Sequence, residues 1–335
     1  MSNVLVTGGT GFVGNHLVRR LLQDGHHVTF TGRDQDKAKP LVDMGAKFVC
    51  HAFAKSSDLT KMFAEVDAVM HCAAKSSPWG PKNEHMQVNW HFTKQVADAC
   101  LKSGVRRLVH VSTSSVYFDY QDRLNLKETD SLPEVAANHY SASKVLAEGA
   151  VMDAFARGLD TVILRPRGIF GPGDEAIVPR LMRANRKIGV PLIRDGQAIS
   201  DITYVDNLVD AMVLAMTAPP LVSGKIYNIT NGETLSVIAL LEMLFGALDR
   251  PLKLRPLSYE LGLRLSSTME VLATLLRQEP LFTRYTLSLL SFSQTLDLSA
   301  ARSDLNYQPR VTLVDGFKKY AESLRAQKEV GKVKP

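Results

Sequence analysis

The chain has 335 residues, of which 45% are hydrophobic and 22% are charged, a balance typical of globular enzymes and not of disordered or fibrous proteins. No apolar run approaches the roughly 20 residues that a membrane-spanning helix needs. The formal net charge of +6 suits an anionic partner, but the sequence has no nucleic-acid motif and no basic stripe interleaved with aromatic residues. We therefore expect no nucleic-acid partner.

The three cysteines, Cys50, Cys72 and Cys100, have no CxxC spacing, and no secretory signal precedes the first predicted strand. This pattern favours free thiols and a cytoplasmic location. The neighbouring histidines lack the spacing of metal ligands, so no metal site is predicted.

The predicted elements alternate between strand and helix. The strand-like runs are, in order, NVLVTGG, HHVTFTG, AKFVCHA, VDAVMHCAA, RRLVHVST and LDTVILRP. Helical stretches separate them, including residues 85–103 and the segment around Tyr140. Strands joined by helices predict an α/β fold with a doubly wound parallel sheet.

From about Phe170 onward the sequence becomes irregular and mostly helical, which predicts a smaller substrate-binding lobe. The run GKIYNIT is expected to return to the sheet. The predicted boundaries are 1–170 for the sheet domain with a return strand at about 224–230, 171–223 and 231–325 for the lobe, and 326–335 for a basic tail.

Gly8, Gly11 and Gly14 have GxxGxxG spacing directly after a predicted strand and at the start of a predicted helix. Glycine permits a tight turn, close approach of the backbone to phosphate and close packing of helix on strand. The helix N-terminus offers free N–H groups and a positive dipole end to a pyrophosphate. This context predicts a dinucleotide site, with Thr10, Phe12 and Val13 in the same turn as further contacts.

The end of the second strand distinguishes between dinucleotides. Arg33 follows Gly32 directly, and Lys37 lies four residues further on. A guanidinium at this corner suits the 2′-phosphate of NADP(H). Asp34 would serve NAD(H) if the loop bends differently. The sequence favours NADP(H), with NAD(H) as the second choice.

Tyr140 and Lys144 lie four residues apart in a predicted helix, which places both side chains on one face. The ordinary pKa of tyrosine, about 10, is too high for a good base at neutral pH. A nearby ammonium favours the phenolate. The pair therefore suits proton transfer to or from a substrate oxygen during hydride transfer.

A cluster of hydroxyls, Ser112, Thr113, Ser114 and Ser115, ends the strand RRLVHVST. Ligands of doubly wound sheets lie beyond the carboxyl ends of the strands, so a hydroxyl here is placed to orient a substrate carbonyl. Serine and threonine also cap helices and form turns, and that alternative stays open.

The motifs TGGTGFVG, HCAA, STSSVY, YSASK, RPRGIFGPGD and DITYVDNLVDA, in this order, resemble those of the extended short-chain dehydrogenase/reductases, the NAD-dependent epimerase/dehydratase superfamily with a Rossmann sheet. The resemblance implies that Tyr140 moves the proton, that Lys144 tunes it and binds the nicotinamide ribose, and that Thr113 binds the substrate oxygen. Ser114 takes that role if the alignment shifts by one residue. Asn89 is implied to support the proton relay. Further implied cofactor contacts are Asp58, Leu59, Ala73, Ala74, Pro166 and Arg167.

Two subgroups of the family compete. Nucleotide-sugar epimerases and dehydratases carry an asparagine where this chain has Gly168, and dehydratases an acid pair where it has Ser114 and Ser115. The chain is more similar to the 3β-hydroxysteroid dehydrogenase-like subgroup and to bacterial 2-alkyl-3-oxoalkanoate reductases. RPRGIFGPGDEAIVPRLM and the leucine-rich stretch MEVLATLLRQEPLFTRYTLSLLSF carry this similarity.

This resemblance implies an NADP(H)-dependent oxidoreductase that interconverts a ketone and a secondary alcohol on a lipid-like substrate, either a long-chain 3-oxo or 3-hydroxy acid or a steroid-like compound. The leucine-rich stretch suits an apolar lid, plain packing of the lobe, or a peripheral membrane contact. Arg167, Arg180 or Arg284 would hold a substrate carboxylate.

Two alternatives are a nucleotide-sugar epimerase, dehydratase or reductase of the same superfamily and a non-catalytic dinucleotide sensor or scaffold. The resemblance also implies a homodimer that pairs through residues 85–103 and 138–157, with Ala97, Ala99, Ala147 and Ala150 allowing close contact between the helices.

Overall fold

The computed structural model describes residues 1–50, 62–276 and 278–332. The strands are, in chain order, β1 (Asn3–Thr7), β2 (His27–Gly32), β3 (Lys47–Cys50), β4 (Ala68–His71), β5 (Arg107–Val111), β6 (Arg123–Leu126), β7 (Asp160–Pro166), β8 (Ile169–Phe170), β9 (Val190–Leu192), β10 (Ile199–Asp201), β11 (Thr203–Tyr204), β12 (Lys225–Ile229), β13 (Thr234–Ser236), β14 (Leu254–Pro256) and β15 (Gln294–Leu296).

The α-helices are α1 (Phe12–Gln23), α2 (Gln35–Asp43), α3 (Lys82–His85), α4 (Phe92–Ser103), α5 (His139–Ala156), α6 (Ile177–Lys187), α7 (Val205–Thr217), α8 (Val237–Ala247), α9 (Tyr259–Leu276), α10 (Arg284–Leu289), α11 (Ser299–Leu305) and α12 (Leu313–Lys332). A π-helical segment, Met86–His91, joins α3 to α4, and a 3₁₀ turn, Ser114–Tyr117, follows β5. None of the helices within the described residues is both long and apolar enough to cross a membrane.

Seven parallel strands form the main sheet in the order β12-β7-β5-β4-β1-β2-β3. The central strands are nearly continuous runs of valine, leucine and isoleucine because both faces of the sheet are buried. Helices α1, α2, α7 and α11 cover one face, and α4 and α5 cover the other. The predicted α/β class with a doubly wound parallel sheet is confirmed.

Helix α7 corrects the predicted lobe boundary. Its residues Leu208 and Met212 are fully buried in the same hydrophobic core as Val4 of β1 and Leu17 of α1. The apolar face of this helix is therefore covered by the main sheet, so the predicted lobe segment 171–223 is wrong over the length of α7. The chain next forms β12, which pairs in parallel with β7 where the sequence predicts the return strand.

The smaller lobe comprises α6, α8, α9, α10 and the short strands between them. It contains more strand than the sequence predicts, since β13, β10, β15 and β6 form a four-stranded sheet. A third hydrophobic core, centred on Leu241, Phe245 and Phe317, holds α8 against α12. Helix α12 runs to Lys332, so most of the predicted tail 326–335 continues this helix.

The alanines predicted to face a second protomer lie inside the chain instead. Ala97, Ala99, Ala147 and Ala150 are all buried in the single protomer, where α4 packs against α5. These small side chains allow the two helices of one chain to approach, and they leave the prediction of a homodimer without that support.

Candidate active site

The carboxyl ends of the central strands open onto a cavity of about 1,080 Å³ whose opposite wall comes from the smaller lobe. The predicted site residues that line it are Gly8, Thr10, Gly11, Phe12, Val13, Gly14, Arg33, Lys37, Ala73, Ala74, Thr113, Tyr140, Lys144, Pro166 and Arg167. Asp58 and Leu59 fall outside the described residues. The fold thus brings together residues from six separate stretches of the sequence.

The glycine-rich turn between β1 and α1 is built so closely that side chains do not fit. Gly8 has a φ of +74°, and a Cβ atom there would lie 2.8 Å from the backbone of Ala73. A Cβ atom on Gly14 would overlap the carbonyl oxygen of Gly8. Helix α1 begins directly after this turn, at Phe12, so its unpaired N–H groups face the cavity.

The corner after β2 carries the charges on which the prediction of the dinucleotide depends. Arg33 and Lys37 line the cavity rim. Asp34 caps α2, because its carboxylate accepts a hydrogen bond from the backbone N–H of Lys37 at 3.0 Å. Lys37 also pairs with Glu175 of the lobe, Nζ to Oε1 2.7 Å. The cap uses Oδ1 of Asp34, and Asp34 lines the same cavity as Arg33 and Lys37.

Tyr140 lies at the start of α5, whose N-cap is Asn138. Burial raises the pKa of Tyr140, and the neighbouring hydroxyl of Thr113, which follows β5, opposes this shift only in part. Thr113 is itself held in place, because its Oγ1 accepts the backbone N–H of Ser115 at 3.1 Å. The phenol therefore stays protonated at neutral pH and is ready to donate.

Lys144 is one helical turn beyond Tyr140 and is almost completely buried. Its Nζ donates to the backbone carbonyl of Val111 at 2.7 Å and lies 3.2 Å from Nε2 of His110. Burial lowers the pKa of Lys144 to about 8, while the nearby Glu148 carboxylate opposes this shift. His110, on β5, is a partner of the lysine that the sequence analysis does not single out.

A buried ion pair fixes α5 on the sheet. Glu148 accepts two hydrogen bonds from Arg165 of β7, at 2.9 and 2.6 Å, and one from the hydroxyl of Ser112. Arg165 also donates to the phenol of Tyr117 at 2.6 Å. All four hydroxyl residues, Ser112 to Ser115, line the cavity, and Ser112 is also tied to the scaffold through Glu148.

Asn89 lies beside helix α5 and is not part of the cavity lining. It lies in the π-helical segment, where its amide donates to the hydroxyl of Ser143 at 2.9 Å and its oxygen accepts the backbone N–H of Lys75 at 2.7 Å. Ser143 in turn donates to the backbone carbonyl of Tyr140 at 2.7 Å. Asn89 therefore positions α5, and a π-bulge at this point is typical of functional sites.

The three arginines predicted as carboxylate ligands are each already paired with an acid. Arg167 is buried, lies 3.3 Å from Asp201 and donates to Ser200 and Gln294. Arg180, on the cavity wall, pairs with Glu279. Arg284 pairs with Glu270 at 2.9 Å, and most of its side chain is exposed. Of the three, Arg167 and Arg180 reach the cavity.

The smaller lobe supplies the apolar wall. Its cavity-lining residues include Val237, Leu240, Leu241, Leu244, Phe282, Tyr285, Leu289 and Leu290. Of these, Phe282, Tyr285, Leu289 and Leu290 belong to the leucine-rich stretch for which the sequence leaves a lid, plain packing and a membrane contact open. The contribution of α8 gives no recognisable motif in the sequence. Helix α9 behaves differently, because Leu265, Leu272 and Leu275 on its outer side are exposed.

The model of the family described as NAD dependent epimerase/dehydratase matches residues 4–230. The chain belongs to this family. The 2-alkyl-3-oxoalkanoate reductase of Stenotrophomonas maltophilia is 35% identical over 330 residues, covering 96% of this chain and 99% of that protein. The decarboxylating sterol-4-alpha-carboxylate 3-dehydrogenase of Mus musculus is 30% identical, covering 95% and 90%.

Among solved structures, the UDP-glucuronic acid 4-epimerase of Bacillus cereus in complex with NAD superposes with a TM-score of 0.77 at 23% identity, over 97% of this chain and 99% of that chain. This likeness shows the shared fold. The predicted extended short-chain dehydrogenase/reductase family is thus confirmed. Membership places the chain among NAD(P)-dependent oxidoreductases and makes a nicotinamide dinucleotide its expected cofactor.

The residues present fit such a cofactor. The glycine-rich turn has no side chains at Gly8, Gly11 and Gly14, so its backbone can approach a bound pyrophosphate closely. Helix α1 begins beside the same part of the cavity. Ala73 and Ala74 form the floor beside it, and Lys144 and Tyr140 lie further along the cavity.

Proposed function

We propose that this chain is an NADP(H)-dependent oxidoreductase that interconverts a ketone and a secondary alcohol on a lipid-like substrate. The observation that carries the proposal is that Tyr140, Thr113 and Lys144 line the same cavity as the glycine-rich turn and the apolar residues of the lobe. A proton donor, a dinucleotide cradle and a hydrocarbon-binding surface thus meet at one place.

The bound cofactor would supply the hydride to the carbonyl carbon of the substrate. Tyr140 donates the proton from its hydroxyl to the carbonyl oxygen, or removes it in the reverse direction. Lys144, while charged, stabilises the resulting phenolate and is placed to hold the ribose. Thr113 steadies the phenol through its hydroxyl, and the leucines of α8 exclude water from the reacting atoms.

A long-chain 3-oxo acid or a steroid-like ketone is the substrate class that we favour. The relatives at 35% and 30% identity are named for 2-alkyl-3-oxoalkanoates and for sterol carboxylates. The lobe offers leucine and phenylalanine side chains, and each methylene buried against them contributes about 0.8 kcal/mol. This wall suits a hydrocarbon better than a sugar.

Gly168 works against the nucleotide-sugar alternative. It has a φ of +52°, and a Cβ atom there would lie 2.9 Å from the side chain of Ile202. An asparagine, as the nucleotide-sugar enzymes are expected to carry at this place, does not fit beside Ile202 without strain. The sensor alternative is disfavoured because the chain retains both Tyr140 and Lys144 in the cavity.

NADP(H) is the cofactor that we propose, with NAD(H) second. Arg33 and Lys37 lie at the rim where the adenosine ribose is expected, and Asp34 is engaged as a helix cap. The Lys37–Glu175 ion pair lies at this same rim, and both side chains are largely exposed, so a 2′-phosphate has little to overcome in replacing the carboxylate.

A cytoplasmic location and a homodimer stay predictions, as does a peripheral membrane contact. The exposed leucines on the outer side of α9 support the membrane contact, because they form an apolar surface that no other part of the described fold covers.

The proposal is tested by following NADPH and NADH oxidation with the purified protein against long-chain 2-alkyl-3-oxo acids, 3-ketosteroids and UDP-sugars. We expect turnover with the keto acids or ketosteroids and a preference for NADPH. Turnover confined to UDP-sugars would establish the nucleotide-sugar alternative. Tight cofactor binding without turnover on any of these compounds would establish the sensor.

A further inference from the structure

The hydroxyl of Ser115 receives two hydrogen bonds. Thr113 donates to its Oγ at 3.1 Å, and the phenol of Tyr285 donates to the same atom at 2.6 Å. A serine hydroxyl has two acceptor positions and one hydrogen. Because these two bonds fill both acceptor positions, any further hydrogen bond of this hydroxyl must be one that it donates to a third partner.

That partner is not found among the side chains and carbonyls of residues 1–50, 62–276 and 278–332, where the hydroxyl of Ser115 takes part in these two bonds only. Ser115 lines the cavity beside Thr113 and Tyr140. A donor without an acceptor inside the fold, next to a space of this size, is placed to meet an acceptor atom of a ligand.

Tyr285 is well suited to hold this arrangement. It is buried, and its ring packs edge-on against Phe118 with a centroid distance of 5.3 Å and an interplanar angle of 83°. Burial raises the pKa of Tyr285 to about 12, so its hydroxyl keeps its hydrogen across the physiological range. Tyr285 belongs to α10 of the smaller lobe, 170 residues from Ser115.

Thr113 has a different position in this network from the one that the family resemblance implies. Its hydroxyl hydrogen is committed to Ser115, and its oxygen accepts the backbone N–H of the same residue. In this arrangement Thr113 links Tyr140 to Ser115, and the hydrogen directed at the cavity is that of Ser115.

We propose that Ser115 donates a hydrogen bond to the reacting oxygen of the substrate, beside Tyr140, and that Tyr285 is a positioning residue of the lobe which sets this donor; the assignment rests on the proposed function. The bond strengthens as negative charge develops on the oxygen, so it acts on the chemical step more than on substrate binding. The lobe therefore contributes to catalysis as well as to the apolar wall.

Steady-state kinetics of ketone reduction by the full chain test this assignment. We expect Ser115→Ala to lower kcat at least about 10-fold with a KM within about threefold, and Ser115→Thr to restore most of the loss. Tyr285→Phe is expected to lower kcat by less. Because Tyr285 acts through Ser115, adding Tyr285→Phe to Ser115→Ala should have no further effect.

The matched control is Tyr259→Phe, since Tyr259 bonds to the hydroxyl of Ser288 at 3.0 Å within the same lobe and is not part of the cavity lining. Its kcat should equal that of the wild type. A wild-type kcat in Ser115→Ala, or a Tyr285→Phe loss that persists in full on the Ser115→Ala background, would overturn the inference and leave the proposed function standing. A wild-type protein that reduces no ketone overturns both.

Urea unfolding of the cofactor-free protein gives a second readout that does not depend on activity. If the two hydroxyls are bonded, the midpoint loss of the double variant is smaller than the sum of the losses of Ser115→Ala and Tyr285→Phe. Additive losses would show that Tyr285 does not hold Ser115, and would overturn its positioning role.

Discussion

At the scale of single residues, burial controls the charges on which the proposed proton transfer depends. Lys144 is almost wholly buried between α5 and β5, and the pKa of its ammonium is lowered to about 8 by that burial. The pKa of Tyr140 is raised by burial, so the phenol keeps its proton when the lysine has lost its own.

We therefore expect kcat/KM for ketone reduction to fall as pH rises through about 8. The charged form of Lys144 predominates below its lowered pKa, and the neutral amine above it no longer stabilises the phenolate that forms. A pH–rate profile between pH 6 and 10 measures this limb. A profile that stays flat to pH 10 would show that the ammonium of Lys144 is not required.

The close fit of the glycine-rich turn gives a second prediction at this scale. Gly14→Ala places a methyl group against the backbone of Gly8, where nothing can move aside, so we expect a loss of about 1–3 kcal/mol in unfolding free energy and weaker NADPH binding. Urea denaturation and cofactor titration measure the two effects.

Gly149→Ala is the matched control for that substitution. Gly149 is exposed within α5, and a Cβ atom there meets nothing within 4 Å. Helix propensity alone predicts a gain of about 0.5–1 kcal/mol. Equal effects of the two substitutions would contradict the close approach of Gly14 to Gly8.

At the scale of elements, the Arg165–Glu148 pair fastens helix α5, which carries Tyr140 and Lys144, to strand β7. Both side chains are less than 10% exposed, and the contact is bidentate. We expect Glu148→Gln to lower the unfolding free energy by about 3–5 kcal/mol, because it leaves the arginine charge buried without a counter-ion.

The exposed pair Arg106–Asp67, with nitrogen and oxygen 3.0 Å apart and the arginine 72% exposed, provides the comparison. Arg106→Ala should change the unfolding free energy by less than about 1 kcal/mol. Chemical denaturation of both variants decides the matter, and a Glu148→Gln protein as stable as Arg106→Ala would contradict the role given to the buried pair.

The same elements show what the sequence can and cannot predict. The main sheet, the glycine-rich turn and the Tyr140 helix follow from local sequence patterns. These patterns are the hydrophobic runs, the glycine spacing and the four-residue spacing of Tyr140 and Lys144, each of which lies within a short segment. The placement of α7 does not, because its apolar residues fit either the sheet or the lobe until the tertiary contacts are known.

The hydroxyls after β5 show a finer limit. Four consecutive side chains offer the same chemistry, and only the fold assigns Ser112 to Glu148 and turns Ser115 toward Tyr285. Contacts of this kind join residues far apart in sequence, and an irregular lobe gives no period from which to infer them.

At the scale of the whole molecule, the sheet domain and the smaller lobe both line the cavity at the carboxyl ends of the central strands. The sheet supplies the cofactor cradle, the lysine and the phenol, and the lobe supplies leucines, Phe282 and Tyr285. In the proposed function, neither part alone presents both a dinucleotide and an apolar substrate to Tyr140. The proposed function therefore requires that the phenol of Tyr140 lies next to both the bound cofactor and the bound substrate.

The most direct test of that claim compares the wild-type protein with Tyr140→Phe, measuring NADPH oxidation with a long-chain 2-alkyl-3-oxo acid and NADPH affinity by fluorescence titration. Loss of the phenolic proton should reduce kcat by about 100-fold or more. NADPH affinity should change by less than about threefold, because the glycine-rich turn and α1 hold the dinucleotide. Wild-type turnover by Tyr140→Phe would contradict the account.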